Sequence, residues 1–311
     1  MVKRPAKPAD RRMARPILIT LLPFLLSLAC SEHRPAFDPV TMDPPHGEGP
    51  AALLWEGSFE SEGKHLNAIA YEARGPGPHP TLILLHGFPG NERNLDLAQA
   101  MRRAGWNVIF FHYRGAWGSG GDFSFSGALM DVLAVARAIS EPEWAQIHRV
   151  EADQIAVVGH SMGGFLALAA ASRDPKIRCA VSMAGPNLAR LIPPGASPAL
   201  LEQTGMQLEA WANGRLAGAT GPALIADLSR HASELDLIEL APGLRGKPIL
   251  LIGGRSDEVV PPDSIRELKE AYGNAGKDDV EMVILEGDHS FSEQRIELTR
   301  RVLSFLDTRC R

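Results

Sequence analysis

The chain has 311 residues, 45% of them hydrophobic and 22% charged, the balance of an ordinary globular protein with room for one large domain or two small ones. Its 30 Gly and 24 Pro are scattered rather than periodic, which excludes a collagen-like repeat or a wholly disordered chain, and three Cys cannot build a disulfide scaffold. The net charge of −5 conceals an asymmetry: residues 1–29 hold six bases against Asp10, and removing that +5 leaves −10 for the rest, with no broad basic surface for nucleic acid.

The basic start runs into Ile17–Ala29, almost wholly apolar and too short to cross a bilayer of about 30 Å at about 1.5 Å per residue. With small side chains at Ser27 and Ala29 before Cys30, this is the layout of a secretory signal peptide. Residues 1–29 are therefore read as a leader and the protein as exported. Leu26-Ser27-Leu28-Ala29-Cys30 resembles a bacterial lipobox, apart from Ser27 where Leu is usual, which implies lipid on Cys30 and membrane anchoring. The alternative is a cleaved, soluble periplasmic or secreted protein. Residues 30–50, with Pro35, Pro39, Pro44, Pro45 and Pro50, read as an extended tether to a domain over 51–311.

Leu53–Glu60 and His65–Ala73 flank a Ser-Glu-Gly turn and predict an antiparallel hairpin. Short continuous apolar runs follow at Thr81–Leu85, Asn107–His112, Ile155–Gly159, Cys179–Ala184, Pro248–Ile252 and Val280–Leu285, as in parallel strands buried on both faces. Between them Leu129, Val132, Ala136 and Ile139, and later Ile296, Leu303 and Leu306, recur at helical spacing. The alternation predicts an α/β fold with a doubly wound, mostly parallel sheet. Residues 186–246 are too many for one crossover and predict a short helical insertion. One of its helices starts at Ser197-Pro198, with Leu201, Leu208 and Trp211 as its apolar stripe, and another covers Pro222–Arg230. Its place before the run at Pro248–Ile252 suggests a lid over a pocket; packed decoration is the alternative.

Gly159-His160-Ser161-Met162-Gly163-Gly164 follows a predicted strand and opens a predicted helix. Glycines two residues either side of Ser161 permit a tight turn that lifts its Oγ out of the sheet. A Ser hydroxyl needs a base. His289, in Gly287-Asp288-His289-Ser290 after the last strand, lies at the same sheet edge; His86 is expected to brace its loop and His160 to point elsewhere. A carboxylate must orient the base: Asp257 is preferred, with Glu258 and Asp263 close enough to compete and Asp288 adjoining the base. An oxyanion would be met by the N–H of Met162 and by Phe88 or Gly87, Phe88 being favoured because Pro89 has no N–H. Trp117 and Phe123 are candidate pocket residues, and Arg114 is expected to bond loop carbonyls. No C-x-x-C pair or H-E-x-x-H run marks a metal site, and no cofactor is expected.

His86-Gly87-Phe88-Pro89-Gly90, G-H-S-M-G-G at 159–164 and G-D-H at 287–289 together resemble the α/β-hydrolase-fold serine hydrolases, over residues from about 53 to 307. The segment from His112 to Ser119 resembles the Y-R-G-x-x-G-S loop of prolyl-oligopeptidase-like and acylaminoacyl-peptidase-like proteins; G-H-S-M-G-G resembles esterases and monoacylglycerol-lipase-like proteins. The β-propeller that gates prolyl oligopeptidases is not expected in the fifty or so residues before the domain. The resemblance implies hydrolysis of small carboxylic esters through an acyl-enzyme on Ser161. The alternatives are a small peptidase or amidase with the same triad acting on short peptides, or a non-catalytic binding protein on this scaffold.

Overall fold

Apolar runs of five to seven residues, too short for helices and bounded by turn residues, pair side by side as strands. The computed structural model describes Met1 and residues 37–311 other than 46 and 278. The leader read at 1–29 (Met1 aside), Cys30 and the tether as far as residue 36 lie outside the described residues. In chain order come β1 (Leu53–Ser61), β2 (Lys64–Glu72), β3 (His79–Leu85), α1 (Leu95–Arg103), β4 (Asn107–Phe111), α2 (Phe125–Ile139), α3 (Pro142–Ile147) and β5 (Val150–His160). Then follow α4 (Met162–Arg173), β6 (Ile177–Met183), α5 (Pro198–Ala212), α6 (Gly221–Arg230), β7 (Ile249–Gly254), α7 (Pro262–Asn274), β8 (Val280–Leu285) and α8 (Arg295–Phe305).

The eight strands lie in the order β1-β2-β4-β3-β5-β6-β7-β8. β1, β2 and β4 pair antiparallel, and every pairing from β4 onward is parallel. Period-two alternation sorts side chains to the two faces. Ile83, Leu85, Ile155 and Val157 face the layer of α2 and α4, while Leu82, Leu84, Ala156 and Val158 face α1 and α8. α4 is apolar on all sides, and its residues from Met162 to Ala171 are buried.

In α2 the predicted stripe of Leu129, Val132, Ala136 and Ile139 is buried. In α8 Leu298, Val302 and Phe305 are buried; of the predicted stripe, Leu306 just past the helix is buried and Leu303 packs against the core, while Ile296 stands 57% exposed. The helix of the insertion that starts at Pro198 has Ser197 Oγ accepting from Leu200 N–H, but its buried residues are Gly205, Leu208 and Ala212; Trp211 points outward. Gly205 explains the shift, because a Cβ there would press on Gly221, and α5 approaches α6 along that seam. Of the predicted tether, residues 38–40 are docked: Arg103 donates to the carbonyls of Pro39 and Val40, and Asp38 pairs with Arg300. Cys179 and Cys310, whose pairing the sequence leaves open, form a disulfide between β6 and the C-terminal turn.

The insertion is fastened to the segment after β4. Ala217 N–H donates to Gly115 O and Phe123 N–H to Ala217 O, both at 2.8 Å. Asp227 of α6 caps α2 from outside: its carboxylate accepts from Phe125 N–H at 2.8 Å, Ser126 N–H at 3.1 Å and the Ser126 hydroxyl.

Candidate active site

The turn from β5 into α4 is built on contact distances that exclude side chains. A Cβ on Gly159 would lie 2.0 Å from Gly163 O, and one on Gly163 would lie 2.3 Å from Leu85 O. Gly at both positions lets strand, turn and helix close up. Ser161, between them, has φ 55° and ψ −124°, a left-handed backbone costly for a residue with a Cβ. It is held there by its N–H to Met183 O at 2.8 Å and by its carbonyl, which accepts from Gly164 and Phe165. Over-determined strain of this kind projects Oγ above the strand ends.

Parallel strands end at one edge, so the loops after β5, β7 and β8 converge there. His289, four residues beyond β8, places Nε2 3.0 Å from Ser161 Oγ and Nδ1 2.8 Å from Asp257 Oδ2. The carboxylate accepts, so Nδ1 bears the proton and the Nε2 lone pair faces the hydroxyl. The Asp257 side chain is fully buried, and its Oδ1 accepts from Val259 N–H at 2.9 Å and Val260 N–H at 2.8 Å. The competing acids are elsewhere: Glu258 is exposed, Asp263 pairs with Arg266, and Asp288 accepts from Ser292. Burial and hydrogen bonding single out Asp257.

The loop after β3 abuts the turn. A Cβ on Gly87 would sit 3.0 Å from Ser161 Cβ and 3.5 Å from its Oγ, so Gly87 itself lies against the serine side chain. Met162 is the first residue of α4, so its N–H has no carbonyl one turn earlier to bond. His86 braces this loop as expected. Its Nδ1 donates to Gly87 O at 2.8 Å, its Nε2 accepts from His112 Nδ1 at 3.2 Å, and Tyr113 hydroxyl donates to its carbonyl at 2.9 Å. Burial, reinforced by His112 beside it, pushes the His86 pKa down to about 3; burial and then Arg93 push His112 down to about 4. Both are neutral at pH 7.

Three sequence expectations change. Phe123 is 3% exposed, with its ring against Phe88 and Phe125, so it anchors the loop rather than lining a pocket. Trp117 is likewise a brace: its Nε1 donates to Pro89 O at 2.8 Å and the Arg93 guanidinium covers its ring at 4.5 Å. Arg114 bonds carboxylates, not carbonyls, through Asp131 and Glu62. The imidazole of His160 points at the main chain of His289, with Nε2 2.7 Å from its carbonyl oxygen, a contact that sequence adjacency to Ser161 did not suggest. A crevice of about 480 Å³ adjoins the acid loop, lined by Gly185, Arg190, Leu191, Val259 and Leu268. Another, of about 590 Å³ and lined by Asp153, Arg178 and Lys247, lies at the opposite ends of the strands and is remote from Ser161. Among the described residues no group of three or more His, Cys, Asp or Glu could hold a metal ion.

Comparison with known proteins identifies the family. Residues 80–237 match the model of the alpha/beta hydrolase fold family. Esterase YjfP of Escherichia coli (strain K12) is 27% identical over 215 residues, covering 65% of this chain and 78% of that protein. The solved structure of Est1E from Butyrivibrio proteoclasticus superposes with a TM-score of 0.62 at 22% identity, over 81% of this chain and 97% of that one. Pyrococcus horikoshii acylaminoacyl peptidase does so with a TM-score of 0.61 at 16% identity, over 84% of this chain and 42% of that one. The chain belongs to the α/β-hydrolase fold family, with an esterase among its relatives in sequence and an acylaminoacyl peptidase among the proteins that share its fold.

Proposed function

We propose that the protein is a serine hydrolase that cleaves carboxylic esters through an acyl-enzyme on Ser161. The observation that carries this is the unbroken chain of Ser161 Oγ, His289 and Asp257 at 3.0 and 2.8 Å. His289 takes the hydroxyl proton as Oγ attacks the carbonyl carbon, and Asp257 stabilises the imidazolium that forms. The oxyanion is met by the N–H groups of Met162 and Phe88. His289 then passes its proton to the departing alcohol. Water, deprotonated by the same imidazole, releases the acid and restores the hydroxyl. Ester rather than amide cleavage is favoured by the esterase relative, of which the chain covers 78%, whereas it covers 42% of the acylaminoacyl peptidase.

The second reading, a small peptidase or amidase with the same triad, is favoured by the resemblance of His112–Ser119 to the peptidase loop. Turnover of p-nitrophenyl esters against aminoacyl nitroanilides decides between them: faster anilide cleavage overturns the ester assignment. A fluorophosphonate probe should label the wild type and not Ser161→Ala; an unlabelled wild type would revive the non-catalytic binding reading. Export, with lipid anchoring through Cys30, completes the proposal. It is supported by the leader pattern and by the Cys179–Cys310 disulfide, since such bonds persist in oxidising compartments. In a bacterial host the protein should fractionate with membranes and be released by Cys30→Ser; wild type in the cytosol refutes export.

A further inference from the structure

His160 ends β5, immediately before the nucleophile, and is 3% exposed. Its Nε2 lies 2.7 Å from the main-chain oxygen of His289. A carbonyl only accepts, so Nε2 carries the proton and donates, and the neutral ring keeps a lone pair on Nδ1. Nδ1 is buried without a partner among the described residues. A phenyl ring would fill this space without desolvating two nitrogens, so an imidazole here is a poor choice for packing alone. What it adds is the bond to residue 289.

That bond has a rigid origin and a consequential end. His160 pairs in register with Met183 of β6, and Ser161 N–H is bonded to Met183 O, so the ring springs from the sheet itself. The other bonds around the base fall on its neighbours: Ser256 N–H donates to Gly287 O, and Asp288 accepts from Ser292. Burial first, and then the charge His289 would carry, push the His160 pKa down to about 4. The ring therefore adds no positive charge 4.9 Å from the imidazole that must gain a proton.

Resting on the reading of Ser161 as nucleophile, we propose that His160 is a positioning residue whose Nε2–H holds the His289 main chain so that the base stays aimed at Ser161 Oγ. His160→Phe keeps the bulk and removes the donor; His160→Gln restores an N–H. Misplacing a base by about 1 Å costs on the order of 100-fold, so His160→Phe should lower kcat on a p-nitrophenyl ester by about 10- to 100-fold. KM should stay within about twofold, because the loss falls on the transition state. Fluorophosphonate inactivation should slow in parallel, and His160→Gln should recover most of both losses. The inference is overturned if His160→Phe reacts at the wild-type rate, or if Phe and Gln lose activity equally in step with a fall in Tm. If His160→Phe does not fold, the Gln variant against His160→Ala decides it: equal rates in these two remove the donor's role. A wild type that the probe does not label refutes the nucleophile, a result separate from all of these.

Discussion

Replacing Asp227 with Ala should loosen the insertion from the body and weaken the active site without touching it. The Asp227 carboxylate is 8% exposed and accepts from Phe125 N–H, Ser126 N–H and the Ser126 hydroxyl at the start of α2. In the Asp227→Ala variant two helix-start N–H groups lose their partner, at about 1–3 kcal/mol for each that stays dry. The negative charge facing the helix N-terminus is lost as well, for about 0.3–1 kcal/mol. Ser124, whose Oγ accepts from Gly127 N–H, still caps the helix, and water can reach Ser126, so a net loss of about 3 kcal/mol is expected. In a chain of 311 residues, at about 2.1 cal/mol/K of unfolding entropy per residue, that lowers Tm by roughly 5 °C. The effect should reach catalysis because the Phe125 ring supports Phe88 at a centroid distance of 5.5 Å. Differential scanning calorimetry and ester kinetics on the same sample measure both, with Asp227→Asn, which keeps one oxygen, falling in between. A fall in Tm of less than about 2 °C for Asp227→Ala would refute the claim that this carboxylate latches the insertion.

Further outcomes are expected from the same geometry. Asp257→Asn should lower kcat by about 10³- to 10⁴-fold with little change in thermal stability, since the amide disturbs the tautomer His289 needs; pre-steady-state ester assays measure it. Reducing the Cys179–Cys310 bond, which closes 131 residues of chain, should cost up to about 5 kcal/mol, seen as an earlier guanidinium midpoint with reductant than without. Acid should destabilise the fold. His86, His112 and His160 have folded pKa values depressed to about 3, 4 and 4 against an ordinary 6.5, so below pH 6.5 the unfolded chain binds protons the folded one refuses. Stability is therefore full above pH 6.5 and is lost as pH falls towards about 4. Guanidinium midpoints should follow that slope, and His112→Asn should flatten it. Gly163→Ala should yield no folded protein, because the added methyl meets Leu85 O at 2.3 Å; soluble, active material would overturn this.

The strands that make the sheet were legible because each is a short apolar run bounded by turn residues, and period two needs only local sequence. The turn at Ser161 was legible for a similar reason: glycines at 159 and 163 announce a close approach of backbone. Helix faces were read less well. Ile296 and Trp211 fit helical spacing but stand exposed, because the buried stripe depends on what each helix meets. In α5 that partner is α6, approached through Gly205 and Gly221.

Sequence alone determined the chemistry on offer: a serine in a glycine turn, a histidine and an acid in loops after later strands, in an order that parallel strands bring to one edge. Tertiary structure decided which groups meet. Asp257 prevails over Glu258 and Asp263 because its side chain is buried, with one oxygen held by Val259 and Val260 and the other facing His289. Trp117 and Phe123 became supports, and Asp227 became a cap for a helix 101 to 102 residues away. Such partnerships leave no periodicity to read: a hydrogen bond depends on distance in space, and separation along the chain says nothing of it until the core has packed.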